Sequence, residues 1–307
     1  MTTSGSYDYS RNAGQIIEKA LKLIGELAAG ESVNSEDQST CLETLNLMIK
    51  DWQADEIYLW KHVESALFLE YEGYSYDIGP TGDNVTSSWV KTEIATAADS
   101  GDLTITLDSD DDITDGDYIG IELDDGTLQW TTVNGVPAAD VVTLTAALTD
   151  DVAVDNHVYT YTTKLQRPLE ITEARIRSAA GYERPIKIVS RDEYLRLPNK
   201  ASTGSANQIY YDNKLTNGKM YVWPACGDVQ EYIKFTAKIP IEDFDSATDD
   251  PDFPQEWILT LAWNLAVLVA PEFERPLPDK FELRAIAMKE RLMDFDIEHT
   301  SVFLELG

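Results

Sequence analysis

Apolar residues recur at Ile17, Leu21, Ile24 and Ala28, with Ile16, Ala20, Leu23 and Leu27 beside them. That spacing predicts a helix from about Asn12 to Ala29, with Gly30 as its stop. Ser35, followed three residues later by Gln38, has the pattern of a capping box, in which hydroxyl and amide satisfy the free backbone donors of a new helix. The second helix places Leu42, Leu45, Ile49 and Trp52 on one face and ends near Asp55. Two helices joined by a short polar loop predict an antiparallel hairpin with one apolar seam.

Past Trp60 the period changes to two, and it stays so to about Ala247. Leu103, Ile105 and Leu107 alternate with threonines, and Ile119, Ile121 and Leu123 follow. Asp125-Gly126 then turns the chain into Leu128, Trp130 and Thr132, which is favoured hairpin chemistry. Asn134-Gly135 and the runs Val141 to Leu144 and Val158 to Tyr161 extend the series, predicting a small antiparallel barrel or sandwich over 100–163. Further on, Ile186 to Val189 reads as a strand, and Ser190 with Glu193 caps a short helix before Pro198. Asn217-Gly218 turns a hairpin between Ile209 to Leu215 and Lys219 to Trp223, and Ile233, Phe235, Ala237 and Ile239 form a last half-buried strand. Glu242 to Asp252 reads as an acidic return linker.

Helical spacing then returns. Pro254 suits a first turn, and Trp257 to Ala270 is apolar apart from Thr260 and Asn264. After Pro271, Pro276 and Pro278, a seam of Phe281, Ala285, Met288, Leu292 and Phe295 marks an amphipathic helix. The fold class this predicts is α+β: a helical bundle made from N- and C-terminal segments, with a large inserted antiparallel β region. The corresponding divisions are 1–62 and 250–307 for the bundle, 63–99 and 164–249 for the inserted domain, and 100–163 for a nested acidic module.

Composition modifies this picture in three ways. A net charge of −31 opposes the counterion-release attraction by which proteins grip nucleic acid; it fits solubility first, and also a surface past which DNA slides without sticking. From Thr92 to Thr163 there is no Lys or Arg, whereas Lys164 to Lys200 carries nine basic residues against five acidic ones, so the charge changes sign near Lys164. Cys41 and Cys226 have no second Cys at metal-ligand or redox spacing, which fits assembly in a reducing cytoplasm. MTTSGSYDYSRNAG has neither a basic nor an apolar leader region, and the Trp257 to Ala270 run is too short to span a bilayer, so neither secretion nor membrane insertion is expected.

Candidate chemistry is sparse. His62, His157 and His299 share no local motif with a Ser, a Cys or a second His, and Cys226 reads as a small buried residue in a turn. Asp108, Asp110 and Asp112 resemble half of a calcium loop, but Ile113 stands where the turn Gly belongs and Ile119 where the bidentate Glu belongs. Asp124-Asp125 could be the paired acids of a glycosidase, yet Asp125 already serves its turn, and 55 acidic residues supply such pairs by chance. No phosphate-cradling glycine motif is present. No catalytic residue, cofactor or metal is therefore expected. Arg175, Arg177, Arg184, Arg191 and Arg196 are expected to form a basic face meeting the acidic module of a neighbouring subunit.

The opening stretch AGQIIEKALKLIGELAAGESVNSEDQSTCLETLNLMIKDWQADEIYLW resembles the start of the head-completion, or tail accessory, proteins of short-tailed phages. Its second helix carries the matching Leu-Asn, Met and Trp positions, here Leu45-Asn46 through Met48 to Trp52. FPQEWILTLAWNLAVLVAPEF, with Asn264-Leu265-Ala266 and Ala270-Pro271-Glu272, resembles a later helix of that family. RPLEITEARI, PIKIVSRDEYLRLPNK, QIYYDNKL, GKMYVWPACGD and YIKFTAKIPIEDF resemble the β region of its longer members.

The resemblance implies a dodecameric ring that docks under the portal protein after DNA packaging, helps retain the genome and offers a platform to the downstream tail or nozzle protein. It implies a virion location at the portal-tail junction, assembly in the host bacterial cytoplasm, and DNA passing through the lumen without specific binding. Under it, Trp257, Asn264, Phe281, Met288, Leu292, Phe295 and Phe303 are the expected ring and portal contacts. Only about Thr300 to Gly307 follows the last helix, so a long portal-embedded tail like that of the family is not expected, and portal contact is expected to rely on the bundle or the short FLELG end. The alternative is a carbohydrate- or receptor-binding tail-surface protein using Trp89, Trp130 and Trp223; a carboxylate hydrolase comes third.

Overall fold

The computed structural model describes residues 5–55 and 59–295. By density of internal packing the chain forms two units, Met1–Lys61 with Ile241–Gly307, and His62–Pro240.

In the first unit α1 spans Ala13–Ile24, α2 Ser35–Trp52, α4 Ile258–Val269 and α5 Asp279–Phe295; the short α3, Arg191–Leu195, belongs to the second unit. Helix α1 starts at Asn12, whose side chain accepts from the Gln15 N–H, and it stops at Gly25 rather than at Gly30. Gly25 adopts φ +77° and the Glu26 N–H returns to the Leu21 carbonyl at 3.0 Å, so the helix is closed five residues before the apolar periodicity fades. Helix α2 is capped by Asn34, not Ser35: Asn34 Oδ1 takes the N–H groups of Glu36 and Asp37 at 3.0 and 2.8 Å. Helices α1, α2 and α5 each pack on α4, and Ile17, Leu21, Leu45, Ile49, Leu261 and Leu265 share one buried core.

The segment from Ile241 to Asp252, expected to belong mostly to the β domain, lies with these helices. Ile241 and Phe244 enter their core, and the Asn46 amide bonds the Phe244 backbone in both directions at 2.9 Å. Ala13 and Gly14 donate to the carbonyls of Asp249 and Ala247.

The second unit is built from sheets. A five-stranded sheet runs β11 (Glu183–Pro185), β10 (Glu170–Arg177), β17 (Tyr232–Lys238), β1 (His62–Phe68) and β3 (Val85–Thr86). A four-stranded sheet runs β12 (Lys187–Ile188), β14 (Gln208–Asp212), β15 (Gly218–Trp223) and β2 (Ser75–Ile78). Thr203–Gly204 and Ala225–Cys226, β13 and β16, form a two-stranded piece. The last sheet has six strands, in the order β7 (Leu128–Thr132), β6 (Tyr118–Glu122), β9 (His157–Tyr161), β4 (Val90–Thr96), β5 (Thr104–Leu107) and β8 (Val141–Thr143). It curls until its edge strands meet: Val133 bridges Leu144, and Asn134 and Thr145 donate to Thr143 and Thr132 at 2.8 and 2.9 Å. Ile94, Ile105, Ile119, Ile121, Val142 and Val158 fill its interior. This sheet begins at Val90, so β4 lies ahead of the module start expected at 100; its partners β5 and β9 follow it in sequence, and alternation alone did not reveal that pairing.

The expected fold class is therefore corrected. Among the described residues, seventeen strands in four sheets stand against five α-helices, one of only five residues, and two of the three hydrophobic cores are sheet cores. The chain is mainly a β-sheet protein rather than a helical bundle with an inserted β region. Strand pairing over long sequence separations, such as Glu64 opposite Thr236 and Ile233 opposite Ile176, makes the β region the principal architecture.

Candidate functional site

The residues expected to contact a ring neighbour or a portal are mostly committed inside the helical unit. Trp257 is 4% exposed and packs against Trp52, Trp60 and Phe253 with ring centroids 5.5–6.0 Å apart, so it is a core residue and not a docking residue. Leu292 is buried for the same reason: it occupies the inward phase of α5 with Ala285. Asn264 joins helices, its amide donating to the carbonyls of Thr260 at 2.9 Å and Ala285 at 3.2 Å. Phe281 stacks on Trp263 at 4.3 Å, and Met288 is half-buried. Phe295 ends α5 with its side chain outside the described set, and Phe303 lies outside the described residues.

What these helices offer to solvent is a different set. On α2 the exposed positions Glu36, Glu43, Leu47 and Asp51 recur at helical spacing; on α5 Lys280, Leu283, Arg284, Ala287 and Arg291 do the same. Leu47 and Leu283 are 64% and 65% exposed. The sequence seam on α5 follows its inward residues, whereas its outward apolar positions, Leu283, Ile286 and Ala287, sit among charges and break no polar pattern.

The arginines expected to form a basic face are largely neutralised or tied within the chain. Arg175 pairs with Glu64 at 2.7 Å and Glu183 at 3.1 Å, Arg177 pairs with Glu183 at 3.0 Å, and Lys234 bonds both glutamates. Arg184 donates to Ser205 Oγ and the Ala206 carbonyl at 2.9 and 3.0 Å. Arg196 pairs with Asp192 one turn back at 2.7 Å, and Arg191 is exposed at the first position of α3. Hydrogen bonds from Lys234 hold the Glu64 carboxyl below its ordinary range, and the same glutamate pushes the Lys234 ammonium up. A cavity of about 510 Å³ opens beside this network, with Ile186 and Phe235 in its wall and Arg175, Glu183 and Lys234 among its polar lining. Its cations already have anions, so the lining is an electrostatic lattice between strands and presents no free positive row.

Other groups with chemical potential are similarly engaged. His157 has Glu122 at 3.2 Å from Nδ1 and Glu93 at 3.5 Å from Nε2, so the carboxylates flank opposite ring nitrogens and do not converge with the imidazole on one point. Glu122 also accepts the His157 backbone N–H at 2.9 Å and the Gln230 amide at 2.7 Å. Asp110 and Asp140 each accept the other's backbone N–H, at 3.2 and 3.3 Å, closing the loop whose sequence resembles half of a calcium site. Among the described residues no group of three His, Cys, Asp or Glu side chains is placed to hold a metal ion. No described helix is long and apolar enough to cross a membrane.

The tryptophans considered for sugar stacking have partners. Trp89 and Trp130 pack on Phe68 at 6.4 and 5.4 Å, and the Trp223 indole N–H donates to the Asn199 carbonyl at 2.7 Å. Neither a protein-family model nor a curated protein matches this chain.

Proposed function

We propose that the chain is a structural virion protein of a short-tailed phage: a ring-forming adaptor joining the portal to the tail, helping retain packaged DNA and giving tail proteins a platform. The observation supporting this reading is the placement of the residues that carry the resemblance. Leu45, Met48 and Trp52 of α2 are buried in the same core as Leu265 and Ala266 of α4, and the neighbouring Asn264 bonds the backbone of α5. Side chains separated by more than two hundred positions serve one core, so the motifs that carry the resemblance pack together. The engaged state of His157, Cys41 and Cys226, each buried, fits a structural role better than a catalytic one.

In this reading the partners are further copies of the chain, the portal protein and a downstream tail protein. The net charge of −31 lets DNA traverse a lumen without adhesion. Mixing the purified chain with its portal and imaging the product by electron microscopy tests it. Rings seated on the portal support the reading; a chain that stays monomeric and never binds the portal at any salt concentration overturns it.

A further inference from the structure

Helices α2 and α5 both turn their buried faces to α4, which leaves each with an outward face on the same unit. The outward face of α2 centres on Leu47, with Glu43 four residues before it and Asp51 four residues after it, all three exposed. The outward face of α5 carries Ala287, with Arg284 three residues before it and Arg291 four residues after it, again all exposed, and Leu283 one turn away. At a rise of 1.5 Å per residue the two acids stand about 12 Å apart along their helix and the two arginines about 10 Å apart along theirs. When Leu47 lies opposite Ala287, each arginine meets an acid whichever way the helices run.

The charges are available for this. Lys50, the one cation on that face of α2, is neutralised by Asp243. Arg284 lies over the Trp263 ring at 4.7 Å, and neither Arg284, Arg291 nor Lys280 has an ion-pair partner among the described residues. In a chain with 55 acidic and 24 basic residues, three exposed cations on one helix flank with no ion-pair partner among the described residues are complementary to the chain's own surface.

We propose that the outward face of α5 docks on the outward face of α2 of a second copy of this chain, with Leu47 packed against Ala287 and Leu283, and Arg284 and Arg291 against Glu43 and Asp51. Because the two faces are different, the contact is heterologous, and repeating it produces a head-to-tail ring where the rotation closes. The inference rests on the adaptor reading for its ring, and names the interface that reading leaves open.

Charge exchange tests it, with all substitutions on exposed positions of the full chain. Glu43→Lys with Asp51→Lys, and separately Arg284→Glu with Arg291→Glu, should each weaken self-association at least about tenfold through like-charge opposition. The chain carrying all four changes should recover to within about threefold of the parent, because the pairs are then restored in reverse. Analytical ultracentrifugation reads the association, and circular dichroism verifies the fold of each variant. If the parent assembles and binds the portal while the two-residue variants assemble equally well, this interface is wrong and the adaptor reading stands. If the four-residue chain fails to recover although folded, the pairing is also wrong. A parent chain that remains monomeric and does not bind the portal sinks the adaptor reading together with this inference.

Discussion

Trp52, the last residue of α2, meets Trp257, in the turn that leads into α4, with ring centroids 5.9 Å apart and planes inclined at 57°. Trp60 and Phe253 close on the same ring, so four aromatic side chains from both ends of the chain share one cluster. Trp257→Ala should therefore cost about 3–5 kcal/mol, the usual range for emptying a large buried aromatic. Chemical denaturation measures that loss. The same reasoning predicts that truncation after Asp252 strips hydrogen-exchange protection from α1 and α2; retention of native protection there would show that the N-terminal hairpin is stable alone.

Gly120 lies on β6 opposite Trp130 of β7, and a Cβ at this position would stand 2.7 Å from the indole ring. The ring is held by Phe68 at 5.4 Å and Tyr161 at 5.7 Å, which limits its retreat. Gly120→Ala should destabilise the second unit by about 1–3 kcal/mol through overpacking. A matched exposed substitution, Gly126→Asn in the turn with φ +81°, should cost much less, since Asn tolerates the left-handed region. Comparing the two melting curves separates steric from backbone effects.

These cases also indicate what could be read from sequence. The Asp125-Gly126 turn, with Asp125 accepting from Thr127, and the Ser190/Glu193 capping box were legible because their partners lie within three residues. Arg175 was legible as a cation but not as a paired one, since Glu64 is 111 positions away. Strand β4 was missed as part of the six-stranded sheet for the same reason: its register is set by β9, well over fifty residues downstream. Trp257 shows a further limit. A large apolar residue at a helix start has the same sequence pattern whether it caps a core or greets a neighbour, and only the convergence of Trp52 and Trp60 decides between them.

Cys41 and Cys226 should be inert in the native protein. Burial pushes the Cys41 thiol up to about 12 and the Cys226 thiol up to about 11, so neither is a thiolate near neutral pH, and neither is open to reagent. A thiol-disulfide reagent at pH 8 should report two reactive groups per chain only after denaturant is added. Rapid reaction of one thiol in native buffer would show that its core opens locally.

The Lys234 network gives the second unit an acid-side dependence whose sign follows from its groups. Glu64 is held low chiefly by its hydrogen bond from Lys234; for Glu183 desolvation is the largest single influence and acts upward, but the hydrogen bonds from Arg177 and Lys234 together with the charges of Lys234 and Arg175 bring its carboxyl below the ordinary range. A carboxylate whose folded value lies below its unfolded one contributes stability above the unfolded value, and that contribution is lost as pH falls through the folded value. The contribution should be complete above about pH 5 and should fade at lower pH. Lys234, whose folded value is raised, contributes stability that is lost only as pH rises beyond its ordinary range. Lys234→Met keeps the stem over the sheet while removing the charge. In that variant both glutamates should titrate nearer their ordinary range in a carboxyl-detected NMR titration, and the acid-side slope of stability should flatten. Because Glu64 and Glu183 are partly exposed, solvent screening keeps the energetic effect small, and the titration shift is the sharper readout. Unchanged glutamate titration in the variant would show that Arg175 and Arg177 hold these carboxylates without help from Lys234.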